Sequence, residues 1–166
     1  LHITHDLGGG AIKWLKDYCN AEDERVNLVL KPWTHSHAYG DGLALYVRAD
    51  AERPLRFWRF DVPIQATVKH HSDYRQIIAE IVAVYHVDAV LVSSLLGHSL
   101  DALETGKPTV IVCHDYFPYC PAINLYFDGI CQSCEPARLR NCADQNQDYN
   151  PFLAFGGQDR LEIRDA

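Results

Sequence analysis

The chain has no methionine, little positive charge and no apolar run near the roughly 20 residues that a membrane-spanning helix needs. Its longest apolar stretches are Val87-Asp88-Ala89-Val90-Leu91-Val92 and Val110-Ile111-Val112-Cys113, so a soluble domain is expected. With 15 Lys+Arg against 22 Asp+Glu, the net charge is -7. That balance leaves no basic face to neutralise successive phosphates, and nucleic acid is not an expected partner. A signal peptide is also missing, because Leu1-His2-Ile3-Thr4-His5 already reads as a strand; the expected compartment is the cytoplasm. The lack of methionine points to an excised or processed piece.

What is present is 48% apolar content in 166 residues, enough for one hydrophobic core and too little chain for two full domains. Leu1 to Asp6, Gly8-Gly9-Gly10 and Ala11 to Ala21 read as strand, glycine loop and helix, with Ile12, Leu15, Tyr18 and Cys19 on one helical face. A second strand is expected over Arg25 to Lys31, closed by Pro32 and Trp33. Leu43 to Arg48 and Leu55 to Phe60 suggest a hairpin at the sheet edge. Ser72 is the expected cap of a helix from Asp73 to about His86, where Tyr74, Ile77, Ile78, Ile81, Val82 and Tyr85 recur at helical spacing. Val87 to Ser93 reads as a strand, His98 to Thr105 as a short helix stopped by Gly106, and Pro108 to Cys113 as another strand. Apolar strands joined through helices require a parallel sheet covered on both faces. The expected fold is therefore α/β, a Rossmann-like open parallel sheet flanked by helices, forming one domain over residues 1–166.

Periodicity ends after His114. Residues 116–145 are expected to be an irregular excursion held by cysteines, and Asn146 to Ala166 a short closing helix or linker. Cys120, Cys131, Cys134 and Cys142 are spaced C-x10-C-x2-C-x7-C, and the Cys131-Gln-Ser-Cys134 knuckle suits two thiolates on one tetrahedral ion. Four protein ligands make a closed, structural site, with zinc the expected metal. Spacing alone does not separate zinc from an iron–sulfur cluster. Disulfides or free thiols are the bland alternative, which an intracellular compartment disfavours. Cys19 and Cys113 read as small buried apolar residues.

In an open parallel sheet the ligand lies beyond the carboxyl ends of the strands. Three segments fall there: Gly8-Gly9-Gly10 before a helix N-terminus, Ser93 to Ser99, and His114-Asp115-Tyr116. The glycines would let backbone amides approach an anion. As a dinucleotide fingerprint they fail, since Lys13 stands at the third glycine position, and a tight turn remains open. Gly97-His98-Ser99-Leu100-Asp101 nearly matches the hydrolase elbow but ends in Asp101. His98 and Ser99 either contact substrate or cap the short helix. His114, an imidazole at the carboxyl end of a strand, is a catalytic candidate together with Asp115, the other reading being a satisfied polar turn.

The run His2-Ile3-Thr4-His5-Asp6-Leu7-Gly8-Gly9-Gly10, the strand Pro108 to Asp115, and His114-Asp115-Tyr116-Phe117-Pro118-Tyr119-Cys120-Pro121 with its later cysteines resemble the N-terminal domain of retaining GT-B glycosyltransferases. Within that group they look like a subgroup of bacterial polysaccharide and lipopolysaccharide sugar transferases with a cysteine-rich loop. The resemblance implies that this half presents a saccharide or lipid-linked acceptor, and that a C-terminal domain, absent here, grips the nucleotide-sugar donor. It implies that Gly8, Gly9 and Gly10 lie near the donor diphosphate and His114 near the transferred sugar, with Asp115 and His98 as acceptor contacts. The family's acidic donor-binding motif has no counterpart, so this chain alone is expected to transfer no sugar. Membrane association follows only by family analogy. Two other readings compete: a non-catalytic metal-stabilised interaction module using Tyr116, Phe117, Tyr119, Tyr126 and Phe127, and an unrelated nucleotide-binding enzyme.

Overall fold

The computed structural model describes residues 1–34, 40–114, 116, 120, 126, 129–132, 135, 137–138 and 141–142. The chain divides into two compact units, Leu1–His114 and Asp115–Ala166, the break falling where the sequence loses periodicity.

The first unit is a mixed α/β fold. Its six-stranded sheet comprises β1 (His2–Ile3), β2 (Leu28–Trp33), β3 (Gly42–Val47), β4 (Arg56–Arg59), β6 (Val90–Val92) and β8 (Thr109–Ile111) in the order β4-β3-β2-β1-β6-β8. The neighbours β2-β1, β1-β6 and β6-β8 are parallel, and β3 and β4 add the expected antiparallel wing. A separate parallel pair joins β5 (Thr67–Val68) to β7 (His98–Ser99). Two helices, α1 (Gly9–Ala21) and α2 (Ser72–Val84), complete it.

Register assigns each helix to a face. His2 pairs with Val29 and Leu91, while Ile3 pairs with Leu30 and Val92, so side chains alternate in two sets. Leu15 and Cys19 of α1 pack on Val29 with Ala49, Trp14 and Tyr46. On the opposite side, Glu80 of α2 bonds to the Trp58 indole at 3.3 Å and to Arg56. Helices therefore cover both faces of the sheet, and the carboxyl ends of β1, β2, β6 and β8 form one edge.

Several local expectations change. Strand β2 runs through Pro32, which pairs with Leu43, instead of stopping before it. The Leu30 carbonyl accepts from Thr4 N–H at 3.2 Å, so β2 residues of that parity address β1; Pro32 faces the same way after β1 has ended and costs no ladder bond. Helix α2 is capped by His71, whose Nδ1 accepts from the Tyr74 N–H at 3.2 Å, and Ser72 is the first helical residue. His71 Nε2 then donates to the Val62 carbonyl at 2.7 Å, so one ring satisfies the helix and the preceding loop together. The helix expected over His98 to Thr105 is instead β7 followed by a single 3-10 turn, Leu100–Leu103.

In the second unit, Tyr126 and Ile130 form an antiparallel bridge, and Gly129 has a φ of 137°. Tyr116 accepts through its carbonyl from Cys120 N–H at 2.6 Å. The tail from Asn146 to Ala166 lies outside the described residues.

Candidate ligand site at the carboxyl edge of the sheet

Beyond His2 and Leu91, the β1–β6 register carries on to Thr4 and Ser93, whose N–H groups donate to Leu30 and Ile3 carbonyls at 3.2 and 2.8 Å. By alternation both side chains share the face that α1 covers. His114 follows β8 on that face, its ring 5.0 Å from the Trp14 ring of α1 at 62°. Thr4 Oγ1, Ser93 Oγ and His114 Nε2 are all buried without a hydrogen-bond partner, as is His2 Nδ1. An unpaired buried polar atom costs about 1–3 kcal/mol, so several at the ends of three adjacent parallel strands are unusual.

Helix α1 begins at the same edge. Gly8 is its cap and supplies no side-chain hydrogen bond, and no acidic residue occupies the first turn. Gly8 and Gly9 take φ of 77° and 79°, conformations that only glycine adopts cheaply. A Cβ at Gly8, Gly9 or Gly10 would meet nothing within 4 Å, so the loop is open on the side where side chains would stand. Lys31, a mostly buried strand residue, is paired with Asp6, two residues before Gly8, at 3.1 Å and lies over the Tyr46 ring at 5.1 Å. The edge thus combines helix-terminal amides, a lysine and unpaired hydroxyl and imidazole atoms, donors suited to an anionic or hydroxyl-rich ligand.

His98 and Ser99 are enclosed. His98 Nε2 lies 3.0 Å from the Thr4 carbonyl, which only accepts, so the proton sits on Nε2. Its Nδ1 then accepts from the Tyr74 hydroxyl at 3.0 Å. Burial holds His98 neutral, with a pKa lowered to about 4, and burial likewise raises that of Tyr74 well above its usual value. Both nitrogens of His98 are used, which makes it a support for the end of β1 and leaves it no atom for substrate. Ser99 accepts from Asp101 N–H at 3.1 Å, the capping alternative for this residue.

Asp101 is the hub that the sequence reading missed. It is 3% exposed, and its carboxylate accepts from His70 Nδ1 at 3.0 Å, His71 N–H at 2.8 Å, Ser99 Oγ at 2.7 Å and Arg75 Nη2 at 2.7 Å. Burial alone would raise its pKa, but these donors outweigh it and hold the carboxyl well below the usual range. The near miss to the hydrolase elbow is therefore a structural knot tying the 3-10 turn to the start of α2. Potential ligand atoms of His70, Asp101 and Glu104 lie within 4.8 Å of one another. Arg75 Nη2 already bridges the two carboxylates, at 2.7 Å to Asp101 and 3.5 Å to Glu104, and occupies the place a cation would take.

Asp115 and Cys134 lie outside the described residues. Cys120 and Cys142 are buried and Cys131 is half-buried. Cys120 and Cys131 carry no disulfide. Among the described residues, the group of potential metal ligands lying this close together is the His70 cluster, not the cysteines.

Comparison with protein-family models, with curated proteins and with solved structures finds no match. Functional assignment therefore rests on the chemistry of the carboxyl edge.

Proposed function

We propose that this chain is the acceptor-side half of a retaining GT-B glycosyltransferase, with a Rossmann-like sheet whose carboxyl edge faces a nucleotide-sugar donor held mainly by a second domain. The observation that carries this reading is the row of unpaired buried atoms, Thr4 Oγ1, Ser93 Oγ and His114 Nε2, beside the uncapped glycine N-terminus of α1. A folded chain gains nothing from leaving such atoms unpaired, so a ligand that pairs them is the economical account. In the proposed complex the amides after Gly8 and Gly9, with Gly10, approach the diphosphate, and His114 contacts the transferred sugar, with Asp115 next to it in sequence. Oriented donors at the leaving diphosphate would stabilise the charge that develops as the glycosidic bond breaks.

The cysteine-rich segment is read as a structural zinc site of Cys120, Cys131, Cys134 and Cys142. Soft sulfur donors suit that ion, and its binding free energy would order a segment with little apolar content. A saccharide or lipid-linked acceptor and a cytoplasmic setting belong to the same proposal.

Titrating the isotopically labelled chain with uridine diphosphate, amide by amide, tests it. Shifts confined to Gly8, Gly9, Gly10, Ala11 and the His114 ring at millimolar ligand are expected. Shifts scattered over the surface, or none, would overturn the reading.

A further inference from the structure

The antiparallel wing carries a second surface on the α1 side of the sheet. Register aligns Lys31, Ala44 and Phe57 in one row across β2, β3 and β4, and Trp33, Gly42 and Arg59 in the next. The middle strand contributes only small residues to these rows, and both are buried. Gly42 is required there, because a Cβ would stand 1.9 Å from the Trp58 carbonyl oxygen. Large side chains from the flanking strands close over this low floor. The rings of Trp33 and Phe57 lie 6.0 Å apart at 34°, and the Arg59 guanidinium carbon sits 5.4 Å from the Trp33 ring centroid.

The outer surface of this assembly offers two groups to a ligand. Phe57 is 59% exposed although apolar burial would favour covering it. Arg59, like Arg53, makes no ion pair among the described residues. Arg25, Arg48, Arg56 and Arg75 each have a carboxylate partner. Arg59 instead spends its charge on an aromatic face, which leaves its outward N–H donors available. The position matters too. Trp33 ends β2 at the carboxyl edge, and extending the Ile3–Leu30 pairing sets it level with Asp6, two residues before Gly8.

We propose that Trp33, Phe57 and Arg59 form a subsite for a sugar ring that bears a carboxylate. The C–H face of a pyranose would lie on the exposed Phe57 ring, and the guanidinium, held on the Trp33 face, would take the carboxylate through paired N–H donors. This names the acceptor class and rests on the acceptor-side reading above. An acidic saccharide supplies the charge that Arg59 lacks and the flat apolar face that Phe57 leaves uncovered; a neutral one supplies only the second.

The test is titration of the whole chain with tetragalacturonate, using neutral maltotetraose as the control, read at the Trp33 indole N–H and the Arg59 side-chain resonances. Tetragalacturonate should bind about tenfold more tightly than maltotetraose, the worth of one charge-assisted contact, and the difference should shrink with salt. Arg59→Gln should bring the acidic ligand down to the neutral one's affinity, and Phe57→Ala should weaken both. Both residues are exposed, so neither variant threatens folding, which unchanged amide spectra elsewhere would verify. Equal affinity for the two oligosaccharides, or no shift at Trp33 with either, would overturn the subsite. Uridine diphosphate shifts at the glycines without saccharide shifts at Trp33 would sink the subsite alone; the reverse pattern would sink the transferase reading and keep the subsite.

Discussion

The Tyr74 hydroxyl donates to His98 Nδ1 at 3.0 Å, and through the same ring the start of α2 is joined to the Thr4 carbonyl at the carboxyl end of β1. One buried imidazole thus sets where the candidate ligand edge begins. His98 has a pKa of about 4 in the fold against the ordinary 6.5, burial being the main cause. The unfolded chain therefore takes up this proton first as pH falls. His98 costs nothing above about pH 6.5, and stability drops between there and about pH 4, by on the order of 3 kcal/mol at 1.36 kcal/mol per unit. Urea unfolding at a series of pH values checks this; a flat profile between pH 7 and pH 5 would contradict it.

Asp101 adds a lower window of opposite origin. Its folded pKa is depressed, so the carboxylate stabilises the fold above the ordinary carboxylate range, and that contribution is lost as pH falls below about 4. Asp101→Asn removes the charge and leaves one acceptor oxygen for donors from His70, His71, Ser99 and Arg75. The expected loss is about 2–3 kcal/mol at neutral pH, with a weaker acid dependence below pH 4. A variant as stable as the parent would show that the knot is dispensable.

Two glycines with similar φ should behave differently. Gly40, at 75°, has the Ile64 carbonyl oxygen 2.2 Å from where a Cβ would lie, whereas Gly8, at 77°, has open space. Gly8→Ala should cost only backbone strain, about 1–3 kcal/mol, while Gly40→Ala adds a clash with the main chain and should cost more. Thermal unfolding of the pair ranks them. Equal losses would mean that the loop around Ile64 yields.

Much of the frame was legible because it rests on local periodicity. Tyr74, Ile77, Ile78 and Ile81 recur on one face of α2 and are all buried. The hairpin and the apolar parallel strands were read from short-range patterns of the same kind. The carboxyl edge followed from the fold class, without reference to any particular side chain. What stayed hidden depends on partners distant in sequence. Asp101 bonds to groups about 30 residues away, and nothing in its neighbourhood distinguishes it from a solvated acid. The cap of α2 went to His71 over the adjacent Ser72 because His71 also reaches Val62, a competition that a helix-start pattern does not register. Thr4 looked like an ordinary strand residue until the register set it beside Ser93.

The cysteine proposal has its own chemical test. Elemental analysis of the purified chain should find about one zinc per molecule, and Cys131→Ser with Cys134→Ser should remove it. A visible absorbance band with iron in place of zinc would shift the site to an iron–sulfur cluster. No metal in the parent protein would end the metal reading.

In the proposed site Thr4 and Ser93 keep their hydroxyls for a ligand at a cost to the fold. Thermal unfolding and uridine diphosphate titration of the Thr4→Val, Ser93→Ala double variant measure both sides at once. Removing two buried, unpaired hydroxyls should leave the melting temperature unchanged or raise it, while the shifts at Gly8, Gly9, Gly10 and His114 weaken or vanish. A lowered melting temperature with nucleotide shifts intact would mean that these hydroxyls serve the fold, and that the carboxyl edge is not the site proposed.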